Sequence, residues 1–283
     1  MTYIVTESAT GVLGDDEVAA YRRNGYLVPK WRLQGPDLSR LQGLMAKLAA
    51  DNPALLNEPI IGPHLPGSGV QRLKAEPGWM DIATHPRILD MVEQIDGPDL
   101  ALWGTSVFYK RAVAGPATAW HQDARSWPMI KPLTTTTVWI AVTDSHKDNG
   151  CIRVIPGSHD ARRIKPHKDA DRANSIVANS LPTEEFDTAA AVDIELDAGE
   201  IVIFDVFTIH GGGPNPGSAP RAGYALRFMP TTSHYDHGGA KNRNAPGFAH
   251  DTRPLLLVRG VDRSGKNDFQ RGHASSYPGV GRN

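Results

Sequence analysis

Near residue 100 the apolar residues of this 283-residue chain change their spacing, and that change limits the architecture more than any other pattern in it. Before it, apolar residues recur at helical intervals. Asp15, Asp16 and Glu17 open a helix that stops at Gly25, and a short strand at Tyr26-Leu27-Val28 follows. A second helix is predicted from Pro36 to Asn52, where Leu38, Leu41, Leu44, Met45 and Leu48 share one face, and a third from His85 to Ile95. After it, the apolar segments are short and rich in β-branched and aromatic residues: Leu100 to Lys110, Thr134 to Thr143, Cys151 to Ile155, Val192 to Leu196, Ile201 to Phe207 and Gly223 to Phe228. Turn sequences such as Asp148-Asn149-Gly150 and Gly213-Pro214-Asn215-Pro216 separate them.

Many strands without alternating helices argue for a barrel or sandwich. The expected fold is mostly β with N-terminal and flanking helices: a double-stranded β-helix, the jelly-roll or cupin-like type. With no internal repeat and no evident linker, residues 1–283 read as one domain. Residues 1–98 form a mainly helical flank, 99–230 the jelly-roll core, and 231–283 C-terminal loops with an edge strand near Leu255 to Val258.

Composition removes several classes of function. A hydrophobic share of 40% and a charged share of 22% are ordinary for a globular protein, which sets aside disorder and coiled coils. The net charge of −1 gives no basic footprint for nucleic acid. Cys151 is the single cysteine, so neither an intrachain disulfide nor a cysteine-ligated cluster is available. No apolar run approaches a membrane span, and MTYIVTESATGVLGDDE lacks the basic start and apolar core of a signal peptide, so a reducing, cytoplasmic setting is expected.

Within this frame one trio carries chemistry. His121 and Asp123 stand two residues apart in Trp120-His121-Gln122-Asp123, and on an extended chain both point to one side. His210 arrives from a distant segment, just before Gly211-Gly212-Gly213 allows close backbone approach. Two imidazoles and a carboxylate leave about three positions of an octahedral ion open, the ligand set of non-haem Fe(II) oxygenases. The spacing alone also fits histidines that merely pack. Arg221 opens a buried strand and needs an anion. That anion is either a protein carboxylate or the distal carboxylate of 2-oxoglutarate, which a guanidinium meets in two hydrogen bonds.

The stretch WHQD at 120–123, TVWIAVTDSHKDNGCIRVIPGSH at 137–159 and HGGGPNPGSAPR at 210–221 together resemble the phytanoyl-CoA dioxygenase family of Fe(II)- and 2-oxoglutarate-dependent oxygenases. DDEVAAYRRNGYLV near the start and RPLLLVRGVD near the end are similar to that family's ends. The resemblance implies that His121, Asp123 and His210 hold Fe(II) and that Arg221 anchors 2-oxoglutarate, with O2 as second cosubstrate. It further implies that Trp139 and Gln122 line the cosubstrate pocket. Relatives often carry Ser or Thr two residues after the second His, where this chain has Gly212; Thr134 or Thr136 is the expected substitute hydroxyl.

Trp127 resembles the aromatic that walls the substrate pocket in ectoine-hydroxylase-like members. Arg125, Lys110, Arg72 and Lys74 are candidate cations for an anionic substrate, each with a solvated surface charge as its plainer reading. His159, in the Pro-Gly-Ser-His turn, reads as structural. The implied reaction is hydroxylation of an unactivated C–H bond of a small molecule, with succinate and CO2 released. Asp123 speaks against halogenation, because halogenating relatives replace that carboxylate with a small residue. The rival readings are a cupin-like zinc or manganese hydrolase or isomerase, and a non-catalytic small-molecule-binding jelly roll. The partner implied is a small-molecule substrate.

Overall fold

The computed structural model describes residues 13–56, 58–65, 73, 76–113, 115–171, 173–241 and 249–273. The N-terminal part supplies helices α1 (Asp15–Asn24), α2 (Gly35–Asp51), α3 (Gly78–Ala83) and α4 (Pro86–Asp96), with short strands β1 (Tyr26–Leu27) and β2 (Ile60–Ile61) between them. Next come β3 (Leu100–Lys110), β4 (Thr118–His121), β5 (Ile130–Lys131), β6 (Thr136–Ala141), β7 (Ile152–Val154), β8 (Lys168–Asp169) and β9 (Asn179–Ser180). The chain continues through β10 (Val192–Ile194), β11 (Ile201–Asp205), β12 (His210–Gly212), β13 (Arg221–Pro230), β14 (His234–Tyr235) and β15 (Leu256–Arg259).

Local chemistry explains the helix ends. In α1, acidic Asp15, Asp16 and Glu17 sit at the positive end of the helix dipole and Arg22 and Arg23 at the negative end. Gly25 ends it at a φ of 77°. A Cβ there would lie 2.5 Å from the His159 ring, whose Nε2 donates to the Arg22 carbonyl at 3.0 Å. His159 thus caps a helix, as its turn context suggests. Helix α3 carries no periodic signal long enough to be read from sequence.

Two antiparallel sheets form the body. The larger has seven strands in the order β1-β11-β6-β13-β3-β15, with β2 also paired to β3; the smaller runs β10-β7-β12-β4. Strands β1 and β2 from the helical flank and β15 from the tail are therefore hydrogen-bonded into the core sheet.

Both faces of the larger sheet are buried, and strand periodicity assigns each residue to one of them. Val138, Ile140, Ile203, Tyr224, Leu226 and Phe228 pack against Tyr21, Leu41, Met45, Trp79 and Ile88 of the helices. Trp139, Ala141, Val202, Phe204 and Ala225 turn the other way and meet Ile152, Val154 and Ile194 of the smaller sheet. A bulge interrupts the β13–β3 ladder: Arg227 pairs with Gly104 but Phe228 with Leu102, leaving Trp103 as the extra residue. It brings Trp103 and, further along, Ser106 and Phe108 to the wall of one cavity.

One expectation about strands needs correction. The segment from Ile201 to Phe207 is not a strand along its whole length. Strand β11 stops at Asp205, whose Oδ1 accepts from the Phe207 amide at 2.8 Å, and the chain turns across to start β12 in the other sheet at His210.

Candidate metal centre

Three side chains from two strand ends meet between the sheets. His210 and His121 are direct partners across the β12–β4 ladder, where side chains face each other closely, and their ring centroids are 4.2 Å apart. Strand β4 ends at His121 and Asp123 begins a 3-10 turn, but Gln122 between them is still extended (φ −113°, ψ 129°). The two-residue repeat therefore carries Asp123 to the same side, with Oδ1 3.5 Å from His121 Nε2. One ligand atom from each of the three lies within 4.8 Å of the others, and all three residues are buried.

The donor set fits a metal ion. Each imidazole donates Nδ1–H to the carbonyl two residues before it, His121 to Ala119 at 2.8 Å and His210 to Thr208 at 3.0 Å. That fixes the tautomer and leaves both Nε2 lone pairs facing the centre. Burial, reinforced by neighbouring His121, pushes His210 down to about 4, so it is neutral at pH 7. Burial would raise the Asp123 carboxyl, but contact with His121 and the nearby Arg227 guanidinium outweigh it and hold the group below its ordinary value. Lone pairs and a carboxylate are what ligation requires.

Beside the trio lies Arg221, 2% exposed, at the start of β13. Its Nη2 donates to the Gly150 carbonyl, its Cζ sits 5.3 Å from the Trp139 ring, and its Nε is buried without a hydrogen-bond partner. Burial lowers its pKa to about 10, and no protein carboxylate forms an ion pair with it among the described residues. The plainer reading of Arg221 as half of a protein salt bridge finds no support among the described residues. Its pocket is lined by His121, Asp123, His210, Thr137 and Trp139. Trp139 can lie there because residue 223 is glycine, whose added Cβ would fall 1.8 Å from the indole.

Other sequence expectations fare differently. Thr136 is not at the pocket: its Oγ1 donates to Asp96 Oδ1 at 3.1 Å and lies 3.2 Å from the Tyr21 hydroxyl, on the helical face of β6. Thr137, one residue on, faces the pocket with Oγ1 3.5 Å from Asp123 Oδ2. Gln122 is also displaced, its amide spanning the Phe207 carbonyl (2.8 Å) and the Lys165 amide (2.8 Å) away from the pocket lining. Gly212 has a steric reason, since a Cβ would approach the Cys151 carbonyl oxygen to 2.6 Å.

Trp127 lines the larger cavity over the trio. Arg125 is exposed and outside both cavity linings. Lys110 is no surface charge; it is fully buried opposite Arg221, bonded to the Gly150 and Gly213 carbonyls, and burial with the nearby Arg221 charge lowers it to about 6. It does not border the larger cavity. Arg72 and Lys74 lie outside the described residues. Sequence reasoning missed Arg227, buried and bordering both cavities, although its even spacing from Arg221 along β13 was a signal that it shares that face.

A jelly roll holding two histidines and one carboxylate between its sheets is the arrangement of the non-haem iron oxygenase class. The chain belongs to the family described as Phytanoyl-CoA dioxygenase (PhyH), whose model matches residues 12–223. Among similar proteins, the peroxisomal phytanoyl-CoA dioxygenase of Bos taurus is 24% identical over 82% of this chain and 74% of its own. The ectoine dioxygenase of Nocardia farcinica (strain IFM 10152) is 25% identical, covering 77% and 78%. Among solved structures, the apo non-heme monooxygenase ThoJ superposes with a TM-score of 0.68 at 25% identity, covering 90% of this chain and 88% of that one. CytC3 with Fe(II) and alpha-ketoglutarate, at 24% identity, shares the fold with a TM-score of 0.65 over 94% and 95%.

Proposed function

We propose that this chain is an Fe(II)- and 2-oxoglutarate-dependent dioxygenase that hydroxylates an unactivated C–H bond of a small molecule. The observation that carries the reading is Arg221: a buried guanidinium whose Nε has no hydrogen-bond partner and which pairs with no carboxylate among the described residues, placed beside a His-Asp-His trio. A zinc or manganese hydrolase has no use for such a cation, whereas 2-oxoglutarate brings a distal carboxylate to it. Bound at the trio, ferrous iron with 2-oxoglutarate and O2 would supply the oxidant for the C–H bond, with succinate and CO2 released.

The chain's own part is placement. His121 and His210 offer Nε2 because their Nδ1 protons are committed to backbone carbonyls. Asp123 occupies the third ligand position, which favours hydroxylation over halogenation. Trp139 gives the Arg221 guanidinium an aromatic surface, and Thr137 offers the pocket a hydroxyl. Names of relatives such as ectoine dioxygenase support a small-molecule substrate. No helix among the described residues is long and apolar enough to cross a membrane, and we place the enzyme in the cytoplasm, where the buried free Cys151 stays reduced.

The experiment is anaerobic titration of the chain with Fe(II) and then 2-oxoglutarate, followed by O2. A visible charge-transfer band and stoichiometric succinate are expected. Asp123→Ala should lose the band and at least about 100-fold of succinate formation, since a metal ligand is removed rather than a supporting partner. Wild-type protein with neither band nor succinate would overturn the reading.

A further inference from the structure

The cavity over the trio holds about 300 Å³, and His121 and Asp123 form part of its floor. Trp103, Trp127, Phe108 and Ile176 give it apolar walls, and two guanidiniums, Arg227 and Arg253, face into it. Asp123 is the only carboxylate in that lining among the described residues. A ligand to iron has little charge to spare for Arg227.

Arg227 is held ready but incompletely satisfied. It is 7% exposed, its Nη1 donates to Ser106 Oγ at 2.9 Å, and its Cζ lies 4.9 Å from the Trp127 ring and 5.8 Å from Phe108. Its Nε is buried with no hydrogen-bond partner. Burial lowers its pKa, opposed by the charge of Asp123 alone. Leaving a buried guanidinium donor unmet is costly, and a planar fork is met best by a carboxylate. Arg253 stands behind it, its Nη1 donating to the Trp103 carbonyl at 3.2 Å.

Arg227 borders the Arg221 pocket as well as this cavity, but it stands at the other end of the strand and keeps different company. Arg221 and Arg227 are six residues apart on one strand face, which places their Cα atoms about 20 Å apart. Arg221 keeps company with Gly150 and Trp139, Arg227 with Ser106 and Trp127. We propose that Arg227, backed by Arg253, binds a carboxylate of the primary substrate, so that the cavity selects small organic acids with an aromatic or apolar body resting on Trp103 and Trp127. This rests on the oxygenase reading and names its substrate class.

The test uses the full chain loaded anaerobically with Fe(II) and 2-oxoglutarate, the charge-transfer band confirming loading in each sample. Benzoate, phenylacetate and indole-3-acetate are titrated beside their carboxamides, with binding read by tryptophan fluorescence and ligand-observed NMR. At least one acid should bind about tenfold or more tightly than its amide, the range of one charge-assisted hydrogen bond. Arg227→Gln should bring that pair to within about twofold, and Arg227→Lys should keep an acid preference. No acid preferred over its amide in a sample that shows the band would overturn the proposal and leave the oxygenase reading standing. Loss of 2-oxoglutarate binding in Arg227→Gln with the acid preference kept would assign the residue to the cosubstrate and also overturn it. Should the Gln variant not fold, the wild-type acid and amide comparison decides alone. A missing band sinks the oxygenase reading instead.

Discussion

Thr136 and Thr137 stand next to each other on β6 and face opposite worlds. The Thr136 hydroxyl bonds Asp96 and Tyr21 under the helices, whereas that of Thr137 points toward Asp123. Thr136→Val should therefore lower stability by about 1 kcal/mol, the net worth of a buried hydrogen bond, with 2-oxoglutarate affinity unchanged. Thr137→Val should do the reverse, weakening 2-oxoglutarate or metal binding several-fold at nearly constant melting temperature; paired thermal melts and titrations read both. Arg221→Ala should raise the 2-oxoglutarate concentration needed roughly 10- to 100-fold, equivalent to one charge-assisted hydrogen bond, while Fe(II) binding by calorimetry stays nearly intact. Equal loss of both would make Arg221 a folding residue.

At the scale of elements, α4 ends at Asp96, where it meets the helical face of the larger sheet. The residue is partly exposed, yet its Oδ2 is shut away from solvent and unpartnered. Burial pushes this carboxyl from the ordinary 3.8 up to about 7, opposed by the Thr136 hydrogen bond. Between about pH 4 and pH 7 the unfolded chain has then lost the proton that the folded chain keeps, so stability falls as pH rises through that window. Asp96→Asn should remove this dependence: its melting temperature should gain on wild type from pH 4 to pH 7 and run parallel above. A constant difference across the range would show that Asp96 does not titrate there.

The same scale shows what was legible in the sequence. The helices carried by caps and periodic leucines, and strands as long as Leu100–Lys110, were readable because local chemistry and burial agree there. The trio was readable because an extended dipeptide step fixes its geometry. Helix α3 and two-residue strands such as β5 and β14 escaped, because they exist through long-range packing rather than any periodic run. In the run of four threonines nothing local sets which parity faces the pocket, so the sequence points to Thr134 or Thr136 where the structure has Thr137; Trp139, two residues on, shares the Thr137 face. Gln122 was misplaced because the backbone from 163 to 165 that binds it comes from a loop remote in sequence.

For the whole molecule, helical flank and barrel share one apolar cluster. Trp79 of α3 is fully buried, packs edge-on to Tyr224 of β13 at 4.7 Å, and its carbonyl accepts from the Tyr224 hydroxyl at 3.2 Å. Trp79→Ala should cost about 3 to 5 kcal/mol, and helical and aromatic circular-dichroism signals should disappear together in one transition. Two separated transitions would mean that residues 1–98 fold apart from the rest.

The division between the sheets has a consequence for how such an enzyme changes over time. The three ligands come from β4, the turn after it and β12, at the smaller sheet, whereas Arg227, Trp103, Ser106 and Phe108 come from β13 and β3 of the larger one. Trp103 joins that wall through a single inserted residue opposite Arg227 and Phe228. Selection can therefore redraw the guest's chamber, by changing a residue such as Arg227 or by moving one bulge, while the three ligands at the facing sheet stay where they are.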